Sequence, residues 1–223
     1  MESVESLFKN QNFSAVYGVV AIGVVAVGYT LNFLMRSGVF MPICFVERTT
    51  PDNIKVIAKG YKTAYKNVPK AYDQMFKLIN DNLLQSSDDK CIFYENINLV
   101  GIYFDDPKVV GENETRFAIG IAIDTCGNKF SEKCEKLFVE NGYKSASISK
   151  QKSFMTLFPN VGIFSILVGV RKVYPAAEIY NNNRYDSASG FKFVYEITHK
   201  DVNEFHFVLE KPTDEIKSLV GNL

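Results

Sequence analysis

The chain of 223 residues has no tryptophan, two histidines (His199 and His206) and four cysteines (Cys44, Cys91, Cys126 and Cys134). So few cysteines exclude a disulfide scaffold. Their spacing forms no C-x-x-C zinc signature, so buried, reduced thiols are expected. The histidines form no H-x-x-x-H pair, and no metal ligand is expected. Charge of one sign is also missing, because 25 Lys+Arg balance 25 Asp+Glu. That balance removes the basic footprint of a general nucleic-acid binder. There is no Gly-rich phosphate loop and no G-x-S-x-G elbow, and no cofactor is expected.

What is present is unevenly distributed. From Asn10 to Met35 no side chain is charged. Phe13 to Met35 gives about 34 Å of helix at ~1.5 Å per residue, enough for a ~30 Å hydrocarbon core. A signal peptide would want a basic leader and a shorter apolar stretch. Here Glu2 and Glu5 flank the single Lys9. The reading is one transmembrane helix, with the lipid bilayer as first partner. Arg36, Arg48, Lys55 and Lys59 follow the span, so residues 36 onward are expected to face the cytosol. The division expected is a luminal N-terminus at 1–12, the span at 13–35, a juxtamembrane linker at 36–52, a domain at 53–210 and a short tail at 211–223. Of two glycosylation sequons, Asn12-Phe13-Ser14 and Asn113-Glu114-Thr115, the second is expected to stay unmodified.

The domain shows one order of elements twice. A noisy strand over 53–64 precedes an apolar stripe at Val68, Tyr72, Met75, Phe76, Ile79 and Leu83, the signature of a helix with Pro69 in its first turn. Strands over 97–104 and 115–123 follow. A helix near 132–141, a strand over 143–157 and a helix over 161–180 come next, the last interrupted at Pro175. Strands at 191–197 and 204–210 close the domain. Strand–helix–strand–strand twice implies an α+β fold. Its antiparallel sheet would carry both main helices on one face and leave the other open to a ligand.

Two carboxylates lie on the last strands, Glu196 and Glu210. On a strand of period two, Glu196 faces away from Phe191, Phe193, Tyr195 and Ile197. Directed into an aromatic cavity, it would hold a cation or act as a general base. The candidate ligand-binding residues are Tyr195, Glu196 and His206. No catalytic residue is assigned, and a binding role is expected over an enzymatic one.

Two stretches carry a family resemblance. One is the turn Tyr103-Phe104-Asp105-Asp106-Pro107. The other is Phe158-Pro159, followed by Arg171, Lys172, Val173 and Pro175. With the general layout from about Phe13 to Glu210, the chain resembles the testis-expressed ER-phagy receptor family of animals. Those are single-pass ER membrane proteins with a cytosolic GyrI-like domain. The resemblance implies an adaptor at the endoplasmic reticulum membrane, acting in selective autophagy of the ER (reticulophagy). Its partners would be ubiquitin-like autophagosome proteins and an AAA ATPase of the valosin-containing type. That family's aromatic-x-x-aliphatic motif lies in a long acidic tail, and the residues after Glu210 hold no aromatic. Tyr94 and Ile97 fit the motif as a string. Alternatives are a small-molecule-binding or hydrolytic GyrI-like domain and a haem or tetrapyrrole binder using His206.

Overall fold

The computed structural model describes residues 3–83, 96–123, 131–185 and 190–221, with side chains in the first helix from residue 20 onward. The chain forms two compact units, Met1–Pro42 and Ile43–Leu223.

The first unit is dominated by helix α1 (Ser3–Arg36). Its described apolar side chains are exposed on successive positions, including Ile22, Val24, Val25, Val27 and Tyr29. Among the described residues no helix is long and apolar enough to cross a membrane.

The second unit is mixed α and β. Its strands are β1 (Val46–Thr49), β2 (Ile54–Lys62), β3 (Asn98–Tyr103), β4 (Arg116–Ala122), β5 (Lys144–Ile148), β6 (Lys152–Pro159), β7 (Phe193–Thr198) and β8 (Val202–Val208). All eight join one sheet in the order β1-β6-β8-β7-β3-β4-β2-β5. Every pairing is antiparallel. The helices are α2 (Val68–Asn82), the single turn α3 (Pro107–Val110), α4 (Ser131–Glu140), α5 (Ile163–Arg184) and α6 (Asp214–Val220).

The doubled order is visible in the sheet. One module is β2-α2-β3-β4 and the other is β6-α5-β7-β8. Outward from the junction each places its three strands in the order second, third, first, and the modules meet where β3 pairs β7. Alternation then assigns the side chains to two faces. On one face, Ala71, Met75 and Ile79 of α2 pack on Ile57, Phe117, Ile119 and Ile121. On the same face, Val173 and Ala177 of α5 pack on Phe154, Phe158, Phe205 and Phe207. The other face, with Val56, Val100, Ile102 and Tyr195, is covered by Ile216 and Leu219 of α6.

The structure extends the domain beyond the expected 53–210 on both sides. The expected linker contains β1, which pairs with β6. The expected tail contains α6, whose Ile216, Leu219 and Val220 are buried. The single strand expected over 143–157 is two strands turned at 149–151, where Thr50 accepts from the Gln151 amide and donates to the Ser149 carbonyl. Helix α5 runs through Pro175 without a break. Arg171 and Pro175 are both exposed, so the hydrogen bond that proline removes is lost on the solvent side of the helix. Cys44, expected to be buried, is free and exposed. Cys91 and Cys126 lie outside the described residues.

Candidate functional site

Glu196 lies at the junction of the two modules. In the register of β3, β7 and β8 it stands between Gly101 and Phe205. This row is on the helix-covered face, in line with Thr156 beyond Phe205 and Ile119 beyond Gly101. The acidic group therefore sits under the helices, and not on the opposite face expected to be left open for a ligand.

Gly101 supplies the room beside the carboxylate. A methyl group there would stand 3.0 Å from the Tyr103 ring. With no side chain at 101, that ring leans back over the strand and its hydroxyl bonds to Glu196. From the other module, the Tyr174 hydroxyl donates to Glu196 Oε1 at 2.5 Å. Tyr72 of α2 is close enough for the Glu196 charge to raise its phenol pKa. Each of these four residues keeps part of its surface open to solvent, so they do not form a sealed core. Tyr174 also meets Phe205 and Phe207 edge to face, at 6.2 and 5.7 Å between ring centroids.

The electrostatics follow from this enclosure. Burial raises the Glu196 carboxyl to about 7, while the hydrogen bonds from Tyr174 and Tyr103 pull in the opposite direction. Burial also raises the phenols of Tyr72, Tyr103 and Tyr174, and the Glu196 charge adds to it. The phenols thus stay protonated, as donors. Among the described residues no basic side chain pairs with Glu196; its partners are the two hydroxyls. A carboxyl near 7, half enclosed by three tyrosine rings, is suited to a cation or to taking up a proton.

The Tyr103 turn is fixed from behind. Asp105 takes both Arg116 Nε at 2.9 Å and Nη2 at 2.8 Å, and also accepts from the Arg116 amide. The Tyr65 hydroxyl donates to the Asp105 carbonyl at 2.6 Å. Asp106 caps α3 through the Lys108 amide, with Pro107 in the first turn. The Asp-Asp-Pro string is thus a structural clasp that holds a site residue.

Of the sequence-predicted site residues, only Glu196 lies here. Tyr195 points to the opposite face, where it pairs across the strands with His206. His206 is 3% exposed, with Nε2 3.0 Å from Glu204 Oε2. That bond, followed by burial in the opposite sense, sets a net lowering of the Glu204 carboxyl pKa. His199 lies 3.2 Å from the same carboxylate and 3.0 Å from Asn98 Oδ1. Asn98, His199 and Glu204 border a separate cavity of about 340 Å³ with Asp52 and Asn53. The carboxylate of that cavity already has imidazole partners. The chemistry selects the Glu196 carboxyl, whose partners are hydroxyls. Among the described residues no group of three or more His, Cys, Asp or Glu could hold a metal ion. Ile97 is buried against the helix-covered face, and Tyr94 lies outside the described residues. Sequence reading missed Tyr72, Tyr103 and Tyr174. Their signal was one aromatic on each main helix and one on the strand paired to Glu196.

No protein-family model matches the chain, and no curated protein matches it. Solved structures align over much of its length at low identity. An integron cassette protein from Vibrio cholerae covers 74% of this chain and 95% of its own, at 6% identity and a TM-score of 0.46. A putative transcription regulation protein from Staphylococcus aureus covers 77% of this chain and 99% of its own, at 9% identity and 0.44. The protein SAV2435, bound to tetraphenylphosphonium, covers 76% of this chain and 94% of its own, at 9% identity and 0.45.

Proposed function

We propose that the Ile43–Leu223 unit is a small-molecule-binding domain of the GyrI-like type whose ligand is a lipophilic cation. The observation that carries this reading is the Glu196 carboxylate, half-buried among tyrosines and held by hydroxyls, with no basic partner among the described residues. A cation placed there would compensate a charge that burial disfavours. Each ring face would add about 0.5–2 kcal/mol. The doubled module supports the GyrI-like assignment, because both halves contribute a tyrosine to one carboxyl. Tetraphenylphosphonium is a suitable probe, titrated by calorimetry into the full chain. At pH 8, Glu196→Gln should weaken binding about tenfold or more, since a charge-assisted contact is lost. In the wild type, affinity should fall about tenfold per pH unit below 7, as the carboxyl takes up a proton. Equal affinity of the two proteins at pH 8 would sink the reading.

A hydrolytic reading draws on the same carboxyl, because a pKa near 7 suits a general base. Ester or amide turnover abolished in Glu196→Gln would favour it. The tetrapyrrole alternative loses its ligand, because His206 is nearly sealed and already engaged with Glu204. Nothing in the geometry supports the adaptor reading with autophagosome proteins or an AAA ATPase. Membrane anchoring by residues 13–35, at the endoplasmic reticulum or elsewhere, belongs to the proposal as well. Its support is that the uncharged run Asn10–Met35 lies within one continuous helix.

A further inference from the structure

Helix α5, which carries Tyr174 to Glu196, has an exposed apolar flank that the cation alone does not use. On α5, Ile163, Leu167 and Val170 precede Tyr174 by eleven, seven and four residues. At 3.6 residues per turn these positions fall within one narrow arc of the helix. They therefore occupy the flank of α5 from which Tyr174 reaches Glu196. All three are apolar and open to solvent, at 68%, 51% and 42% exposure. The buried side of the same helix is built from Ser165, Gly169, Val173 and Ala177. The exposed stripe is thus distinct from the packing face, and it continues from the acidic site toward the start of the helix.

Resting on the cation-binding reading, we propose that the ligand is a single-chain amphiphile. Its cationic head sits at Glu196, and its alkyl tail lies along Val170, Leu167 and Ile163. Charge complementarity fixes the head end, and the unbroken apolar stripe fixes the direction of the tail. The stripe from Tyr174 to Ile163 is about 16 Å long at ~1.5 Å per residue. At about 1.2 Å per bond in an extended chain, that accommodates on the order of a dozen methylenes. A compact cation would leave the stripe in water.

Equilibrium dialysis of the full chain in phosphatidylcholine nanodiscs, with empty nanodiscs subtracted, tests this. The probes are alkyltrimethylammonium ions with chains of one to twelve carbons. Affinity should rise about fourfold per added methylene up to about the decyl to dodecyl ions. In Leu167→Ser the ratio of dodecyl to methyl affinity should fall several-fold. This readout is insensitive to any change that affects both probes alike, and the residue is exposed enough that the substitution leaves the core intact. A slope that is flat beyond butyl, with Glu196→Gln still weakening every probe, overturns the amphiphile and leaves the cation site standing. If Glu196→Gln weakens none of them, the cation-binding reading itself fails and takes the amphiphile with it.

Discussion

At the scale of the residue, Glu196 is held in a place where its charged form is disfavoured. Its carboxyl is raised from 4.5 to about 7 by burial. The folded state therefore binds more protons than the unfolded state between those values, and stability falls as pH rises through that window. The contribution is fully present below pH 4.5 and is lost above 7, by about 3 kcal/mol at most. Glutamine keeps the shape and accepts from the same hydroxyls without the charge. Glu196→Gln should accordingly leave the urea midpoint unchanged at pH 4.5 and raise it at pH 8. A pH-independent difference between the two proteins would show that burial does not strain this carboxyl. The carboxyl's face was legible in the sequence, since period-two alternation already sets Glu196 against Tyr195. Its neighbours were not legible. Tyr72, Tyr103 and Tyr174 come from three different elements, and only strand register and helix rotation bring them to one point.

At the scale of the element, the doubled strand–helix–strand–strand order could be read from periodicity because its members are long and half-buried. The elements that escaped are short. Strand β1 has four exposed residues and is recognised only by its partner β6. Helix α6 has seven residues, too few for a periodic signal, although its ends are marked. The Thr213 hydroxyl accepts from the Ile216 amide at the start, and Gly221 closes the end. This helix packs over β2, β4 and β5 at one end of the sheet, so its loss has a large effect. Gly60 shows how close it lies: a methyl group there would stand 2.3 Å from the Leu219 carbonyl oxygen. Gly60→Ala should push α6 off β2 and uncover Ile216 and Leu219. The expected cost is up to about 3–6 kcal/mol, from about 1.5–3 kcal/mol for each of the two fully buried side chains. The check is a lowered urea midpoint with an unchanged slope, together with faster amide exchange at Lys217 and Gly221. Wild-type midpoints would mean that α6 contributes little to the fold.

At the scale of the whole molecule, two units of opposite character share one chain. Residues 20–35 show apolar side chains to solvent on every side of α1, whereas the sheet unit buries its apolar residues in three clusters. A helix exposed in that way is at home only in lipid or against a partner. Under the proposed anchoring, the flanking charges would place the sheet unit on the cytosolic side. The second sequon reports on this directly. Asn113 lies in a short exposed helical turn between Gly111 and Thr115, on no sheet and in no core. A sequon so placed is a competent acceptor whenever it is exposed to the lumen. Expressed with microsomes, the full chain should therefore resist alkaline carbonate extraction and show no mobility shift with glycosidase at Asn113. A version with lysines in place of Glu2 and Glu5, and with Arg36 and Arg48 neutralised, should invert in part and gain a shift that Asn113→Gln abolishes. Glycosylation of Asn113 in the natural chain would reverse the assigned orientation. Release by carbonate would remove the membrane from the account and leave the Glu196 chemistry untouched.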